Sequence, residues 1–305
     1  IGGGIYASTY VGDNWLTLRR VVVDSNDSNT DAGGLYLQGT LDVDDLDVLN
    51  NSGTDFAAIE GSQLGGTWVD VEIAGNTGSY WEVAYLPTQD STGAFSLSDV
   101  LVTDNQSTIN VLAIVSGGQT NLANIIVSDN TGNTALFLDG DVDLEVVNVI
   151  VAGNSSNGVE VQQSQTTALL RNATIVGNGA LGLTASVYGD SSFEQGFAIV
   201  NAIIFDNDGG GVKNVTSNWE LDVTYSDVFD NGGLGNWSGF SGDPASNTGN
   251  ISVDPLFVDY DVSWDPSVQN PSTWDLHLQS GSSQCEGAGE NSDDMGAYGG
   301  PNGTW

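Results

Sequence analysis

Clusters of aspartate are the residues of this chain whose type and spacing best suit chemistry. Hard cations such as Ca²⁺ bind several oxygen ligands at once, and carboxylates in bends can supply them. We therefore predict Ca²⁺ as a candidate ligand of these clusters, and we expect that the protein requires no cofactor. None of the clusters completes an EF-hand loop, and ordinary Asx turns are the competing interpretation. The predicted ligands are Asp24, Asp27 and Asp31; Asp139, Asp141 and Asp143; and Asp259, Asp261 and Asp265.

Aromatic residues in two loops suit a second kind of chemistry, the binding of carbohydrate. Tyr80, Trp81 and Tyr85 lie close together in the chain, and Trp237 lies in another loop. Flat aromatic rings present an apolar face on which a sugar ring can stack. We predict these four residues as a carbohydrate-binding set, with an extracellular polysaccharide as partner. The competing interpretation is that the rings cover an apolar part of the fold.

Catalytic residues are not predicted. A polysaccharide lyase needs a base and cationic groups beside a uronate, and Arg171 and Lys213 are the only bases well inside the repeats. A glycoside hydrolase needs two carboxylates, but aspartate pairs are too common here to be informative. His277 lies in an alternating strand and Cys285 is the single thiol, which is expected to be buried. A carbohydrate-active enzyme stays the alternative to a non-enzymatic protein.

The charge balance excludes some partners. The 305 residues include 40 Asp and Glu but only 4 Lys and Arg, so the formal net charge is −36. Nucleic-acid binding depends on clustered Lys and Arg, and attachment to anionic lipid depends on a polybasic segment. Neither partner is therefore expected. No apolar run approaches the roughly 20 residues of a membrane-spanning helix.

A repeat organises most of the chain. The pattern apolar-x-apolar-x-x-apolar-x-apolar-x-x-Asn recurs every 24 to 29 residues, as in LEVVNVIVAGN (144–154). Alternation with β-branched residues indicates strands, and stacked Asn side chains can form an amide ladder between coils. The longer spacings place insertions within 77–94 and 179–196. The asparagines of this predicted turn ladder are Asn26, Asn51, Asn76, Asn105, Asn130, Asn154, Asn178, Asn207 and Asn231.

One residue in the middle of each unit resets the alternation and must form a sharp bend. Asp and Asn tolerate the left-handed conformation that such a bend needs. The bend column is Asp45, Asp70, Asp99, Asn124, Asn148, Asn172 and Asn201, with Arg20 and Tyr225 at the equivalent outer positions. Three short strands and three bends in about 25 residues predict an all-β fold. We expect a right-handed parallel β-helix of about ten or eleven coils, with an irregular C-terminal cap.

The C-terminal stretch resembles a known type of segment. DPLFVD (254–259), WDLHLQSGSSQCEGAG (274–289) and DMGAYGGP (294–301) are similar to the choice-of-anchor segment of bacterial right-handed parallel β-helix repeat proteins, and GGGIY (2–6) resembles their coil opening. Ser280 and the SQCEGAG run depart from that pattern. The resemblance implies a protein outside the cell or on the bacterial surface. The chain departs from the repeat after Asn231, so we divide it into coils (1–231) and final coil(s) with a cap or anchor-like segment (232–305).

The function predicted from these features is a non-enzymatic extracellular structural or adhesive surface protein. A solenoid has two open edges that can pair with other strands unless they are capped. The chain shows no amphipathic capping helix near its start. We therefore predict head-to-tail self-association into filaments as a partner interaction.

Overall fold

The structure is a computed structural model that describes residues 4–9, 15–29, 32–89, 93–140, 143–163, 168–187, 196–215, 221–260 and 274–299. Its strands are β1 (Ile5–Ser8), β2 (Leu16–Asp24), β3 (Asp27–Ser28), β4 (Leu35–Leu49), β5 (Ser52–Gly53), β6 (Ile59–Ala74), β7 (Thr77–Gly78), β8 (Ala84–Gln89), β9 (Phe95–Thr103), β10 (Asn110–Gly117), β11 (Thr120–Ser128), β12 (Thr134–Gly140), β13 (Leu144–Ala152), β14 (Asn157–Gln163), β15 (Ala168–Val176), β16 (Leu181–Val187), β17 (Phe197–Val200), β18 (Ile203–Phe205), β19 (Gly210–Asn214), β20 (Leu221–Thr224), β21 (Asp227–Phe229), β22 (Trp237–Ser238), β23 (Phe257–Asp259) and β24 (Asp275–Leu278). Two short 3₁₀ helices cover Pro244–Ser246 and Glu290–Ser292.

The strands stack in parallel and in register, which confirms the predicted all-β solenoid. Face A is the ladder of β1, the start of β4 and of β6, β8, β10, β12, β14, β16, β19 and β22. Face B is the ladder of β2, the ends of β4 and β6, β9, β11, β13 and β15. In the next two coils each face B strand is split into two consecutive pieces, β17 and β18 and then β20 and β21. The turn asparagines bound eight complete turns, fewer than the ten or eleven coils predicted, because the ends contribute only part-coils.

Alternate residues of both faces point inward and form the core. In β4, Leu35, Leu37, Leu41, Leu46 and Val48 are all completely buried. Equivalent residues of successive coils lie beside one another at the strand spacing of about 4.8 Å, so each coil buries its apolar side chains against the next. The fold therefore follows from the short-range alternation of the sequence repeated at a period of about 25 residues.

The turn asparagines form the predicted ladder. From Asn51 to Asn231, each Oδ1 accepts hydrogen bonds from the backbone N–H and the Nδ2 amide of the asparagine one coil earlier, at 2.8–3.2 Å. From Asn51 to Asn207 these side chains are at most 2% exposed. Asn231 donates in the same way to Asn236, which ends the ladder. The ladder satisfies buried polar groups along the length of the fold.

Two columns of left-handed residues make the bends on face B. The predicted bend residues all have positive φ, from 49° at Tyr225 to 63° at Asp45. The residue just before each turn asparagine also has positive φ, a second column that the sequence analysis missed. Its members are Ser25, Asn50, Gly75, Asp104, Asp129, Gly153, Gly177, Asp206 and Asp230. Gly, Asp and Asn dominate this position, and this composition is the sequence signal from which the second column could have been predicted.

Replacing Asp70 by Val should lower the free energy of unfolding by about 1–2 kcal/mol, because Asp70 holds φ at 55° and a β-branched side chain is strained there. The control is Glu72→Val, two residues later in the same strand, where a β-branched residue suits the extended backbone. Urea unfolding of the two variants measures the difference. Equal effects would contradict the assignment of the bend column.

The residues after 231 cover the fold in two places. Trp237 and Phe240 pack against the main core at the C-terminal end of the coils, with their rings 5.7 Å apart in an edge-to-face contact. Residues 254–260 and 274–299, including the antiparallel β23–β24 pair, instead pack on the outer side of face B. The second apolar cluster joins Ile150, Val176 and Phe205 of the coils to Phe257, Leu276, Cys285 and Met295. The residues after 231 therefore cover both the C-terminal end of the coils and part of the outer side of face B.

Candidate functional site

The residue type and the exposure of the bend column change along the coils. Asp45, Asp70 and Asp99 are exposed, whereas Asn148 and Asn172 are at most 3% exposed. A charged carboxylate is costly to bury, and a neutral amide can be satisfied by hydrogen bonds. Asn172 Nδ2 donates to the carbonyl of Gly299, at 3.2 Å. The choice between Asp and Asn at this column therefore follows what covers each bend.

The exposed part of the bend column lines an acidic groove of about 470 Å³. Asp47 and Glu72 add further carboxylates, and the side chains of Leu101 and Ile126 give it an apolar stretch. Asn124 Nδ2 donates a hydrogen bond to Asp99 Oδ1 at 2.8 Å, and this bond joins the aspartates of the bend column to its asparagines. Within the described ranges, no three Asp, Glu, His or Cys side chains are grouped so that they could hold a metal.

Each predicted calcium cluster lies partly outside the described residues, since Asp31, Asp141, Asp261 and Asp265 are not among them. Asp24 accepts hydrogen bonds from Ser25 and from the Asn50 amide, which hold the pKa of its carboxyl below the usual range. Asp27 accepts a hydrogen bond from Ser52 at 2.8 Å. The bonds from Asn50 and Ser52 join side chains of neighbouring coils, so these carboxylates have protein partners. Calcium binding through these residues and through Asp139, Asp143 and Asp259 stays a prediction.

Three of the predicted carbohydrate-binding residues lie together with a fourth aromatic residue. The rings of Phe56 and Trp81 stack with centroids 6.5 Å apart, and those of Phe56 and Tyr85 with centroids 5.7 Å apart. Tyr80 and Trp81 are 65% and 50% exposed. We call Phe56, Tyr80, Trp81 and Tyr85 the aromatic platform. Its loops are fixed between coils, since the Trp81 N–H donates to the carbonyl of Asp55 at 3.1 Å.

Carboxylates surround the aromatic platform. Glu82 is 9% exposed and accepts a hydrogen bond from the Asn110 amide at 3.2 Å. Partial burial, followed by the charges of Glu82 and Asp139, raises the pKa of the Tyr85 hydroxyl. Tyr85 therefore stays protonated at neutral pH and can donate a hydrogen bond. The platform combines two exposed aromatic side chains, Tyr80 and Trp81, with hydrogen-bonding groups close to them, and both kinds of group can contact a sugar ring.

The parallel register extends this surface along the outer side of face A. Tyr6, Tyr36, Glu60, Tyr85, Ala113, Phe137, Glu160, Thr184 and Lys213 occupy equivalent positions of successive strands. We call this set the outer column. The Tyr6 and Tyr36 rings stack in parallel, with centroids 4.9 Å apart. Tyr36 and Phe137 were missed in the sequence, because only the register shows that they align with Tyr85.

Trp237 does not join the aromatic platform. It is half-buried against the core at the end of the coils and contacts Phe240. This placement suits the competing interpretation of this residue, namely a cover for the apolar end. The carbohydrate-binding role predicted for Trp237 has no support from its neighbours.

Three of the ionisable residues considered for catalysis, Arg171, His277 and Cys285, have structural partners. Arg171 binds Glu290 of the C-terminal segment, with an N–O distance of 2.6 Å. His277 is hydrogen-bonded to Asp275 at 2.6 Å and stacks on Tyr298 with ring centroids 3.8 Å apart. Cys285 is a buried free thiol, as expected. Arg171 and Cys285 therefore serve to attach the C-terminal segment to the coils.

Comparisons with known proteins add little beyond the fold. No protein-family model matches the chain, and no curated protein matches it either. The crystal structure of a double mutant of the periplasmic alginate epimerase AlgG is similar, with 11% sequence identity and a TM-score of 0.40, over 78% of this chain and 70% of that chain. Similarity at this level says nothing about activity. No helix within the described ranges has the length and hydropathy to cross a membrane.

Proposed function

We propose that this protein is a non-enzymatic, adhesive β-helix that acts outside the cell and binds neutral carbohydrate through its aromatic platform. The observation that carries the proposal is the stacking of Phe56 with Trp81 and Tyr85 beside exposed Tyr80. Rings on loops whose backbone is hydrogen-bonded to the neighbouring coil, as at Tyr80 and Trp81, lose little conformational entropy when a ligand binds, so their contact area contributes directly to affinity. The extracellular location rests on the resemblance of the C-terminal segment.

The charges around the aromatic platform favour a neutral ligand. Glu82 and Asp139 lie close enough to raise the pKa of Tyr85, and Glu60 adjoins Tyr85 in the outer column. A uronate or sulfated chain would bring like charge to these carboxylates. A neutral glycan instead offers hydroxyl groups, which donate hydrogen bonds to carboxylates.

Replacing Trp81 by Ala should weaken binding to a neutral polysaccharide about tenfold, because one stacking surface is lost. Affinity electrophoresis in gels that contain soluble glucans, mannans or polyuronates measures this effect. The matched control is Trp15→Ala, which removes a 64% exposed tryptophan outside the aromatic platform. Equal retention of wild type and Trp81→Ala in every gel would contradict the proposal.

The same samples test the enzymatic alternative. We expect no new reducing ends and no unsaturated sugars after incubation of the wild type with these polysaccharides. A steady catalytic rate would instead favour a carbohydrate-active enzyme and would direct attention to the carboxylates beside Tyr85.

A further inference from the structure

From Tyr36 to Phe137, aromatic rings recur at every second coil of the outer column, whereas Tyr6 lies on the coil next to Tyr36. Tyr36 pairs with Glu60, Glu60 with Tyr85, Tyr85 with Ala113, and Ala113 with Phe137. Neighbouring strands lie about 4.8 Å apart, so Tyr36, Tyr85 and Phe137 follow one another at roughly 10 Å. All three side chains point outward, between inward neighbours that are at most 2% exposed.

This spacing matches one kind of carbohydrate. In an extended β-1,4-linked glycan, alternate sugars present the same face, and the disaccharide repeat is close to the distance between two coils. We propose that the outer column binds a linear, neutral β-1,4-linked glycan parallel to the coil axis, with one ring at each disaccharide. This inference rests on the proposed function, because Tyr85 belongs to both the aromatic platform and the outer column.

The residues between the rings suit the same ligand. Ala113 separates Tyr85 from Phe137, and its small, buried side chain does not project between the two rings. Glu160, beyond Phe137, accepts hydrogen bonds from Thr134 at 3.2 Å and from Gln162 at 2.9 Å. These contacts orient a carboxylate whose remaining lone pairs can accept from sugar hydroxyls.

The geometry also discriminates against other glycans. An α-1,4-linked chain coils and turns its sugar faces away from a straight line of rings. A β-1,4-linked polyuronate has a suitable repeat but carries negative charge past Glu60 and Glu160. The column therefore selects for linkage through ring spacing and for neutrality through its carboxylates.

Isothermal titration with neutral β-1,4-linked gluco- and manno-oligosaccharides of two to eight sugars tests the inference. Affinity should rise with each added disaccharide until the ligand spans Tyr36, Tyr85 and Phe137, and then level off. Tyr36→Ala and Phe137→Ala should each weaken hexasaccharide binding about fivefold to tenfold while leaving disaccharide binding within twofold. Trp15→Ala is the control, and thermal melting checks that each variant is folded.

The outcomes separate this inference from the proposed function. Binding of neutral sugars that depends on Trp81 but not on ligand length, Tyr36 or Phe137 would overturn the inference and leave the proposed function standing. Tighter binding of α-1,4-linked chains or polyuronates of equal length would overturn the assigned linkage or neutrality. The absence of any glycan binding would overturn both.

Discussion

Replacing Asn130 by Asp should lower the free energy of unfolding by about 3 kcal/mol or more at neutral pH. Asn130 is 1% exposed, and its Nδ2 donates to the carbonyls of Val102 and Ser128 at 2.9 and 2.8 Å and to Asn154 Oδ1 at 3.0 Å. A carboxylate has no hydrogen to donate, so it would face three acceptors in a buried site. The change therefore removes hydrogen bonds and adds an unpaired buried charge.

The matched control is Asn133→Asp, which introduces the same charge at an exposed position of the same coil. It should change stability by less than about 0.5 kcal/mol. Urea unfolding at pH 7 measures both variants. A loss below about 1 kcal/mol for Asn130→Asp would show that the ladder does not stabilise the coils as its hydrogen bonds indicate.

Replacing Asp227 by Asn should stabilise the fold at neutral pH, with a gain that disappears in acid. Asp227 is completely buried beneath the C-terminal segment, where it accepts hydrogen bonds from the backbone N–H of Val253 at 3.0 Å and from the Cys285 thiol at 3.4 Å. Burial is the main reason that the pKa of this carboxyl rises to about 6, and the charge of Asp254 adds to the effect. The folded protein thus favours the protonated form.

Because the folded pKa is raised, the favourable contribution of Asp227 is complete below about pH 4 and is lost as pH rises through about 6. The loss amounts to about 3 kcal/mol, from roughly two pH units at 1.36 kcal/mol each. The difference in unfolding free energy between Asp227→Asn and wild type should therefore grow by about 2–3 kcal/mol from pH 4 to pH 7.5. The other carboxylates titrate in both proteins, so their contributions to the pH dependence cancel in this difference. A pH-independent difference would contradict the raised pKa of the buried Asp227 carboxyl.

The periodic part of the fold was predictable from sequence because each coil repeats the same physical requirement. Inward positions must be apolar, one residue must adopt a left-handed bend, and one buried amide must bond its neighbours, as at Asn130. Each requirement recurs about every 25 residues, so chance matches are few. The bend column even carried information on burial, since aspartates such as Asp70 are exposed and Asn172 is covered.

The candidate site was only partly predictable. Tyr80, Trp81 and Tyr85 were found because they are close in the chain, whereas Phe56, Tyr36 and Phe137 join them only through strand register. The lateral packing of the C-terminal segment could not be predicted either. Its contacts, such as the ion pair between Arg171 and Glu290, which are 119 residues apart, join distant parts of the chain and follow no repeat.

The most direct test of the carbohydrate-binding proposal is a crystal structure of the protein with the neutral oligosaccharide that binds it most tightly. The proposal predicts sugar rings stacked on Trp81 and Tyr85, with hydroxyl groups within hydrogen-bond distance of the neighbouring carboxylates. An oligosaccharide bound in the acidic groove beside Asp70, or at Trp237, with the aromatic platform empty, would contradict it.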